Sequence, residues 1–412
     1  MKNTLNTISL FTGAGGIDYG FEAAGFSTRV GIDIDPDSCE TARRNGKWNV
    51  IEGDIQNIST PEILSTANLA PKEVDVLMGG PPCQPFSKSG YWVNGDTKRL
   101  QDPRAKTLTE YMRCVDEILP EVFLLENVHG IKYNGKEEGF QYIINLARQI
   151  NRKRNTNYSL SWAVLNMAEY GIPQIRTRFF LVGHREGKKF IFPKKTHTNS
   201  NNSNIRPLSK STLNESVTAW DALNGVKPAK DEDLRVKGYW ADLLPSIPEG
   251  HNYLWHTEKG GGEAIFKWRS RYWSFLLKLA KNRPSWTIQA QPGPNIGPFH
   301  WENRLLSVKE TAALMTFPEA VTVYGKRLSQ QRQLGNAVPS LMAEIIAREI
   351  GMQYFNMSYD IEPKLKVKID RPIPAPENIL TVPDRYLHNS DQEPRENDNT
   401  KEKQALYQYI HG

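Results

Sequence analysis

The chain has 412 residues, with 52 Lys and Arg against 46 Asp and Glu, giving a net charge of +6 and a pI near 8.9. Its mean hydropathy is −0.56, and no apolar run approaches the ~20 residues needed to cross a bilayer, which argues against a membrane-spanning role. Three widely spaced cysteines, Cys39, Cys83 and Cys114, form no CxxC pair and suggest neither a disulfide framework nor a metal site. The length allows two domains, or one with a large insertion, and the mild basic excess permits a polyanionic partner without demanding one.

The first sixteen residues carry one lysine and pass straight into a structural pattern without a signal-peptide core, so a cytoplasmic protein is expected. From residue 7 to about 185, short apolar runs alternate with amphipathic stretches. The strands read as ISLFT, TRVGIDI, VDVLM, VFLLENV, SLSWAVL and RFFLVG, with helices near 16–24, 36–45, 105–119 and 138–151. Such alternation implies an α/β fold with a mostly parallel sheet, whose ligands bind at the carboxyl ends of the strands. Gly13, Asp33, Cys83 and Glu126 all fall at such ends.

The first strand runs into FTGAGGIDYGFEAAGF, where Gly13, Gly15 and Gly16 permit a tight strand-to-helix turn and close approach of a cofactor. The spacing lacks the third glycine of a dinucleotide fingerprint. Asp33, about 20 residues on, could accept ribose hydroxyls, and Asp54 in EGDI an adenine amino group. An adenosine cofactor without a phosphate-binding GK[ST] suggests S-adenosylmethionine; the plain alternative is a glycine-rich turn beside two solvated aspartates.

After VDVLM comes GGPPCQPFSKSG, which holds Cys83 on a loop stiffened by Pro81, Pro82 and Pro85. A free cysteine is most often a small buried hydrophobe, but this setting also suits a nucleophile. A thiolate added to C6 of a pyrimidine turns the ring into an enamine whose C5 can attack a methyl group. That chemistry asks for an acid near N3 and a guanidinium at O2. Glu126, after the apolar run VFLL, and Arg176 and Arg178 in QIRTRFF are the candidates.

Residues 196–216 are rich in Asn, Ser and Thr and read as a linker. The aromatic-rich stretch 217–283 lacks βα alternation and reads as a smaller domain; within it FKWRSRYWSF interleaves Lys267, Arg269 and Arg271 with aromatics. The basic residues there suit phosphate contact, and the aromatics suit the core face of a helix. Ser307 and Glu310 form a capping-box pattern that opens a helix over 307–317, and another helix is expected near 339–351. Beyond 356 the chain is polar, and EPRENDNTKEKQ is expected to be disordered.

The ordered series FTGAGG, GIDIDP, EGDI, GGPPCQPFS, ENV, QIRTRFFLVG, RPSWTI and QLGNAVP, spanning about 7 to 351, resembles the C5 cytosine-specific DNA methyltransferases, notably the bacterial restriction-modification type. The resemblance implies a Rossmann-like S-adenosylmethionine-dependent sheet at 1–190, a linker and target-recognition domain at 191–283, a return segment at 284–355 that completes the catalytic domain, and a partly disordered polar tail at 356–412. It implies flipping of a cytosine out of double-stranded DNA, with Cys83 attacking C6, Glu126 at N3 and the amino group, Arg178 at O2, and Arg176 and Asn127 supporting the pocket. Around S-adenosylmethionine it places Phe11, Gly13, Ala14, Gly15, Asp33, Ile34, Asp54, Ile55, Pro82, Leu108 and Asn336. Ile34 stands where many relatives carry a larger side chain against adenine. Residues 84–104 then read as a lid, with Ser87 and Lys88 meeting the DNA backbone. A cognate restriction endonuclease and a monomeric state are further expectations. The competing readings are a transfer-RNA methyltransferase, a silent DNA-binding relative and, from the glycine loop alone, an NAD dehydrogenase.

Overall fold

The computed structural model describes residues 4–82, 106–128, 138–198 and 213–387. Cys83, Ser87, Lys88 and the lid expected over 84–104 lie outside them. The strands are β1 (Leu5–Leu10), β2 (Phe26–Asp33), β3 (Asn49–Glu52), β4 (Val76–Gly79), β5 (Val122–Val128), β6 (Ser159–Asn166) and β7 (Thr177–His184). They form one sheet in the order β3-β2-β1-β4-β5-β7-β6. β1 to β5 are parallel, and β7 inserts antiparallel between β5 and β6. β1 has β2 on one side and β4 on the other, so the strand order reverses there. The loops leaving β1 and β4 therefore flank the crevice where open α/β sheets bind ligands.

The helices of the first half are α1 (Gly16–Ala23), α2 (Pro36–Asn45), α3 (Thr60–Ala67), α4 (Lys106–Ile118) and α5 (Glu138–Arg154). Asp35 caps α2, its side chain accepting from Ser38 N at 3.1 Å, and Ser59 caps α3 in the same way. α3, α4 and α5 cover one sheet face with Ile63, Leu64, Met112, Val115, Ile143 and Ile150. The other face is covered by α1 and by the last long helix, α9 (Ser340–Tyr354), through Phe21, Met342, Ile346 and Ile350. A Cβ at Gly20 would lie 2.5 Å from both Ala343 Cβ and Ser340 O, so only glycine lets these two helices touch.

Between the halves lie α6 (Ala219–Leu223), α7 (Val308–Leu314) and α8 (Arg327–Asn336). The capping box at the start of α7 is present: Glu310 N donates to Ser307 Oγ at 3.1 Å, and Ser307 N to Glu310 Oε2 at 2.7 Å. α8 docks on α2 through Arg332 to Asp35 at 2.7 Å and Thr41 to Gln333 at 2.7 Å. A smaller lobe gathers Leu243, Leu244, Tyr253, Phe266, Phe275 and Phe299 around short turns. The helix expected to carry FKWRSRYWSF is absent. Phe266 and Phe275 enter the core, whereas Trp268, Tyr272 and Trp273 are exposed.

Residues 356–387 run from α9 across to the smaller lobe. Buried Glu344 of α9 pairs with Arg348 at 2.9 Å and accepts from Lys364 N and Leu365 N at 2.7 and 2.8 Å. Farther on, Arg371 pairs with Asp221 at 2.6 Å, and Glu377 pairs with buried Lys281 at 2.7 Å. Tyr386 stacks on Trp240 with centroids 5.3 Å apart. The polar composition that reads as a loose tail thus belongs, up to residue 387, to a strap held by backbone hydrogen bonds to Glu344 at one end and by ion pairs to Asp221 and Lys281 farther on. No helix among the described residues is long and apolar enough to cross a membrane.

Candidate active site

Two loops and one strand end define the site. Leaving β1, Phe11 takes φ 55° and Gly13 and Gly15 take 54° and 85°; the turn closes with Gly15 N donating to Thr12 O at 3.0 Å. A Cβ at Gly13 would meet nothing within 4 Å, so this glycine faces open space, as a backbone cradle for a ligand must. Asp33, at the end of β2, accepts from Gly13 N at 2.7 Å and from Asp35 N at 2.9 Å. Burial raises its pKa against these hydrogen bonds. Its carboxylate is thereby fixed at the edge of the glycine loop.

Around this edge, Ile34 is exposed, Asp54 is half-buried and accepts from Gln56 N at 3.0 Å, and Ile55 and Leu108 are buried in one apolar cluster against which Phe11 packs. Ala14 is buried and Pro82 exposed. Asn336 is exposed at the last turn of α8, next to Gly335, which joins that helix to β7 as described below. An open backbone turn, two carboxylates and an apolar floor fit an adenosine-bearing methyl donor. These residues could hold its ribose and base.

The second loop leaves β4 as Gly80, Pro81 and Pro82. Asn127 donates through Nδ2 to Pro81 O at 3.1 Å, and Val128 N donates to its Oδ1 at 2.8 Å. Thr107, at the start of α4, donates through Oγ1 to Pro82 O at 3.0 Å. The chain on either side of residues 83–105 is therefore tied together at Pro82 and Thr107. A Cβ at Gly80 would lie 3.1 Å from Glu126 Oε2, so glycine here lets the loop pass over the carboxyl group. Close approach at Gly80 is legible from its residue type, whereas sequence reasoning missed Thr107, whose type does not signal a contact to Pro82.

Glu126 and Asn127 end β5, and both are buried. Arg178, opposite on β7, places Nε 3.2 Å from Glu126 Oε1. Burial raises the Glu126 pKa while Arg178 and then Arg176 pull it down; burial lowers that of Arg178 while Glu126 holds it up. Such a carboxyl group is held closer to neutrality than a free one, and it can hold or share a proton. Arg176 does something different. At 1% exposure it donates to Ile288 O, Gly335 O and Ala337 O at 3.2, 2.8 and 3.0 Å. It joins β7 to RPSWTI and QLGNAVP, and so acts as a positioning residue. Burial drives its pKa down.

On the smaller lobe Lys267 and Arg269 are exposed, whereas the Arg271 guanidinium lies over Phe275 and Trp240 at 5.7 and 6.0 Å. Cys39 and Cys114 are buried, and burial pushes each thiol up to about 12.

The family model for C-5 cytosine-specific DNA methylases matches residues 5–352. The chain belongs to that family. The methylase is 40% identical to the Type II methyltransferase M.SacI of Streptomyces achromogenes over 373 residues, which cover 85% of this chain and 93% of that one. It is 31% identical to the Type II methyltransferase M1.HphI of Haemophilus parahaemolyticus over 355 residues, covering 84% and 87%. The solved structure of the Entamoeba histolytica methyltransferase EhMeth matches its fold with a TM-score of 0.56 at 16% identity, over 85% of this chain and 99% of that chain. The methylase is thus a DNA (cytosine-5-)-methyltransferase, and the dehydrogenase reading of its glycine loop falls away.

Proposed function

We propose that the methylase acts on a cytosine turned out of a specific duplex sequence, with S-adenosylmethionine as donor and Cys83 as nucleophile. The observation that carries this reading is the buried Glu126–Arg178 pair at 3.2 Å, set against Gly80 of the loop that leads into Cys83. Bound, S-adenosylmethionine supplies an electrophilic methyl carbon on a sulfonium. Asp33 and Asp54 hold its ribose and adenine, with Phe11, Gly13, Ala14, Gly15, Ile34, Ile55, Pro82, Leu108 and Asn336 around them. The Cys83 thiolate adds to C6 of cytosine, and the ring electrons move towards N3, where the Glu126 carboxyl group donates a proton or hydrogen bond. Arg178 holds O2. C5 then takes the methyl group with release of S-adenosylhomocysteine, and loss of the C5 proton to a base, departure of the Cys83 thiolate and return of the N3 proton to Glu126 restore the aromatic ring. The two other cysteines, with thiols near 12, are too weakly ionised to compete.

In this reading residues 1–190 and 284–355 form the catalytic unit, and the smaller lobe is the target-recognition domain. Ser87, Lys88, Lys267 and Arg269 meet DNA phosphates, whereas Arg271 supports them from the lobe's aromatic core. The Type II names of the relatives support an enzyme that protects DNA from a cognate restriction endonuclease, and we take it to be monomeric and cytoplasmic. The test is base-resolution mapping of 5-methylcytosine in plasmid DNA treated with the purified chain and S-adenosylmethionine. One recurrent sequence carrying the mark is expected; label in transfer RNA with none in DNA would overturn the proposal.

A further inference from the structure

The aromatic residues of FKWRSRYW do not serve one purpose. Phe266 packs inside the smaller lobe against Phe275 and Tyr253, but Trp268, Trp273 and Tyr272 are 37%, 53% and 75% exposed. Three large rings left in water on one short segment are costly unless a partner covers them. Cations accompany them. Lys259 Nζ sits 5.0 Å from the centre of the Trp268 ring and the Arg269 guanidinium 5.8 Å, and among the described residues neither cation pairs with a carboxylate. Arg269 itself takes φ 58°, a left-handed conformation that costs about 1 kcal/mol for a residue with a Cβ. Such strain persists where the surroundings impose it, and it clusters at functional surfaces.

Trp273 connects this patch to the catalytic centre. Its ring meets Trp286 edge-on, with centroids 5.6 Å apart. Trp286 stands between Ser285, which exchanges backbone bonds with Pro173 and Ile175, and Thr287, whose Oγ1 donates to Ile175 O at 2.7 Å. Ile175 precedes Arg176, and β7 begins one residue later. Trp273 therefore touches the segment that is bonded to the approach to β7, the strand that carries Arg178.

We propose that Trp273 and Tyr272 stack on a nucleobase laid bare where the target cytosine leaves the duplex, while Lys259 and Arg269 take the flanking phosphates. The inference rests on the function proposed above. A base moved out of a helix leaves its neighbours without a stacking partner, and an aromatic side chain restores that contact whatever the base. The basic residues match the charge of the backbone on either side.

The test uses the full-length chain and a 25-base-pair duplex bearing the sequence found by methylation mapping. Trp273→Ala and Tyr272→Ala are each expected to slow single-turnover methylation about 5- to 150-fold, the range of base–aromatic stacking by alanine substitution. Affinity for S-adenosylhomocysteine should stay unchanged; the unfolding midpoint should hold for Tyr272→Ala and drop modestly for Trp273→Ala with its Trp286 contact, and Trp273→Phe should keep most of the rate. A second duplex places an abasic site opposite the target cytosine, so that the base is already unpaired; there the defect of both alanine variants should shrink to under about threefold. In the wild-type complex, 2-aminopurine next to the target should be quenched relative to the Trp273→Ala complex. Unchanged rates, equal losses on both duplexes or no quenching would overturn the stacking role. A wild-type chain that methylates no DNA would remove this inference together with the function on which it rests.

Discussion

Replacing Glu126 with glutamine and with alanine separates its two roles, because the substitutions leave Arg178 in different surroundings. Glutamine keeps the shape and an acceptor 3.2 Å from Arg178 Nε, whereas alanine leaves a buried guanidinium whose remaining bond among the described residues is Nη1 to Thr177 O at 2.9 Å. Breaking a buried ion pair costs ~3–5 kcal/mol. The two side chains keep 15% and 10% exposure, which places Glu126→Ala at the lower end, about 3 kcal/mol. Glu126→Gln should cost little and should improve relative to wild type as pH rises. The folded pKa of Glu126 is raised, so its contribution to stability is fully present below its unfolded value and is lost as pH climbs through the folded one. Urea titrations from pH 4 to 8 measure both effects, and single-turnover methylation should fall about 10²- to 10⁴-fold in either variant through loss of the acid. Alanine and glutamine variants of equal stability would refute the pairing, and a Glu126→Gln enzyme with wild-type rate would refute the acid.

Three further outcomes follow from the packing. Glu344→Ala leaves Arg348 with only its bonds to Ile361 O and Glu362 O among the described residues and frees Lys364 N and Leu365 N, so it should cost about 3 kcal/mol and open residues 356–387 to limited proteolysis before the rest of the chain. Asp18, wholly buried beside Ser9, is pushed up to about 7 by burial, so wild-type stability should fall between pH 4 and 7 by a few kcal/mol more than that of Asp18→Asn, in which Glu126 and Asp33 still titrate. Calorimetry or urea melts across that range would show the difference, and parallel curves would count against it. Cys39→Ser and Cys114→Ser should leave the methylation rate per folded molecule within about twofold, since both thiols are buried and serine can keep the bond that Cys39 Sγ donates to Asp33 O.

Much of this arrangement was legible from residue order. The apolar runs that became β1, β2, β4 and β5 are buried on both sheet faces and read as continuous hydrophobic stretches, and the glycine loop and Glu126 sit where the parallel topology puts ligand groups. β3 escaped because its four residues, NVIE, are half exposed and too short for a period to register. α8 escaped because RLSQQRQLGN has no apolar stripe; it is held by polar contacts such as Thr41 to Gln333. Arg176 could be placed near the pocket but not given its work, since its three acceptors are backbone carbonyls more than a hundred residues away. Trp268, Tyr272 and Trp273 were misread as core for a related reason. Alternating aromatics suggest a helix face, but burial here is decided by the turn at Arg269 and by contacts with distant Trp286. The strap shows the same limit: its charges read as solvated, yet Glu377 and Arg371 close on Lys281 and Asp221.

The central claim is that a cysteine on the loop after β4 bonds covalently to cytosine beneath the Glu126–Arg178 pair. The most direct measurement incubates the chain, with labelled S-adenosylmethionine, with duplexes carrying 5-fluorocytosine at the mapped target; fluorine at C5 blocks the final proton loss. Wild type should give a denaturation-resistant protein–DNA adduct whose cross-linked peptide contains Cys83, and Cys83→Ser should give none. An adduct that survives in Cys83→Ser, or methylation of normal duplex by that variant at the wild-type rate, would contradict the account.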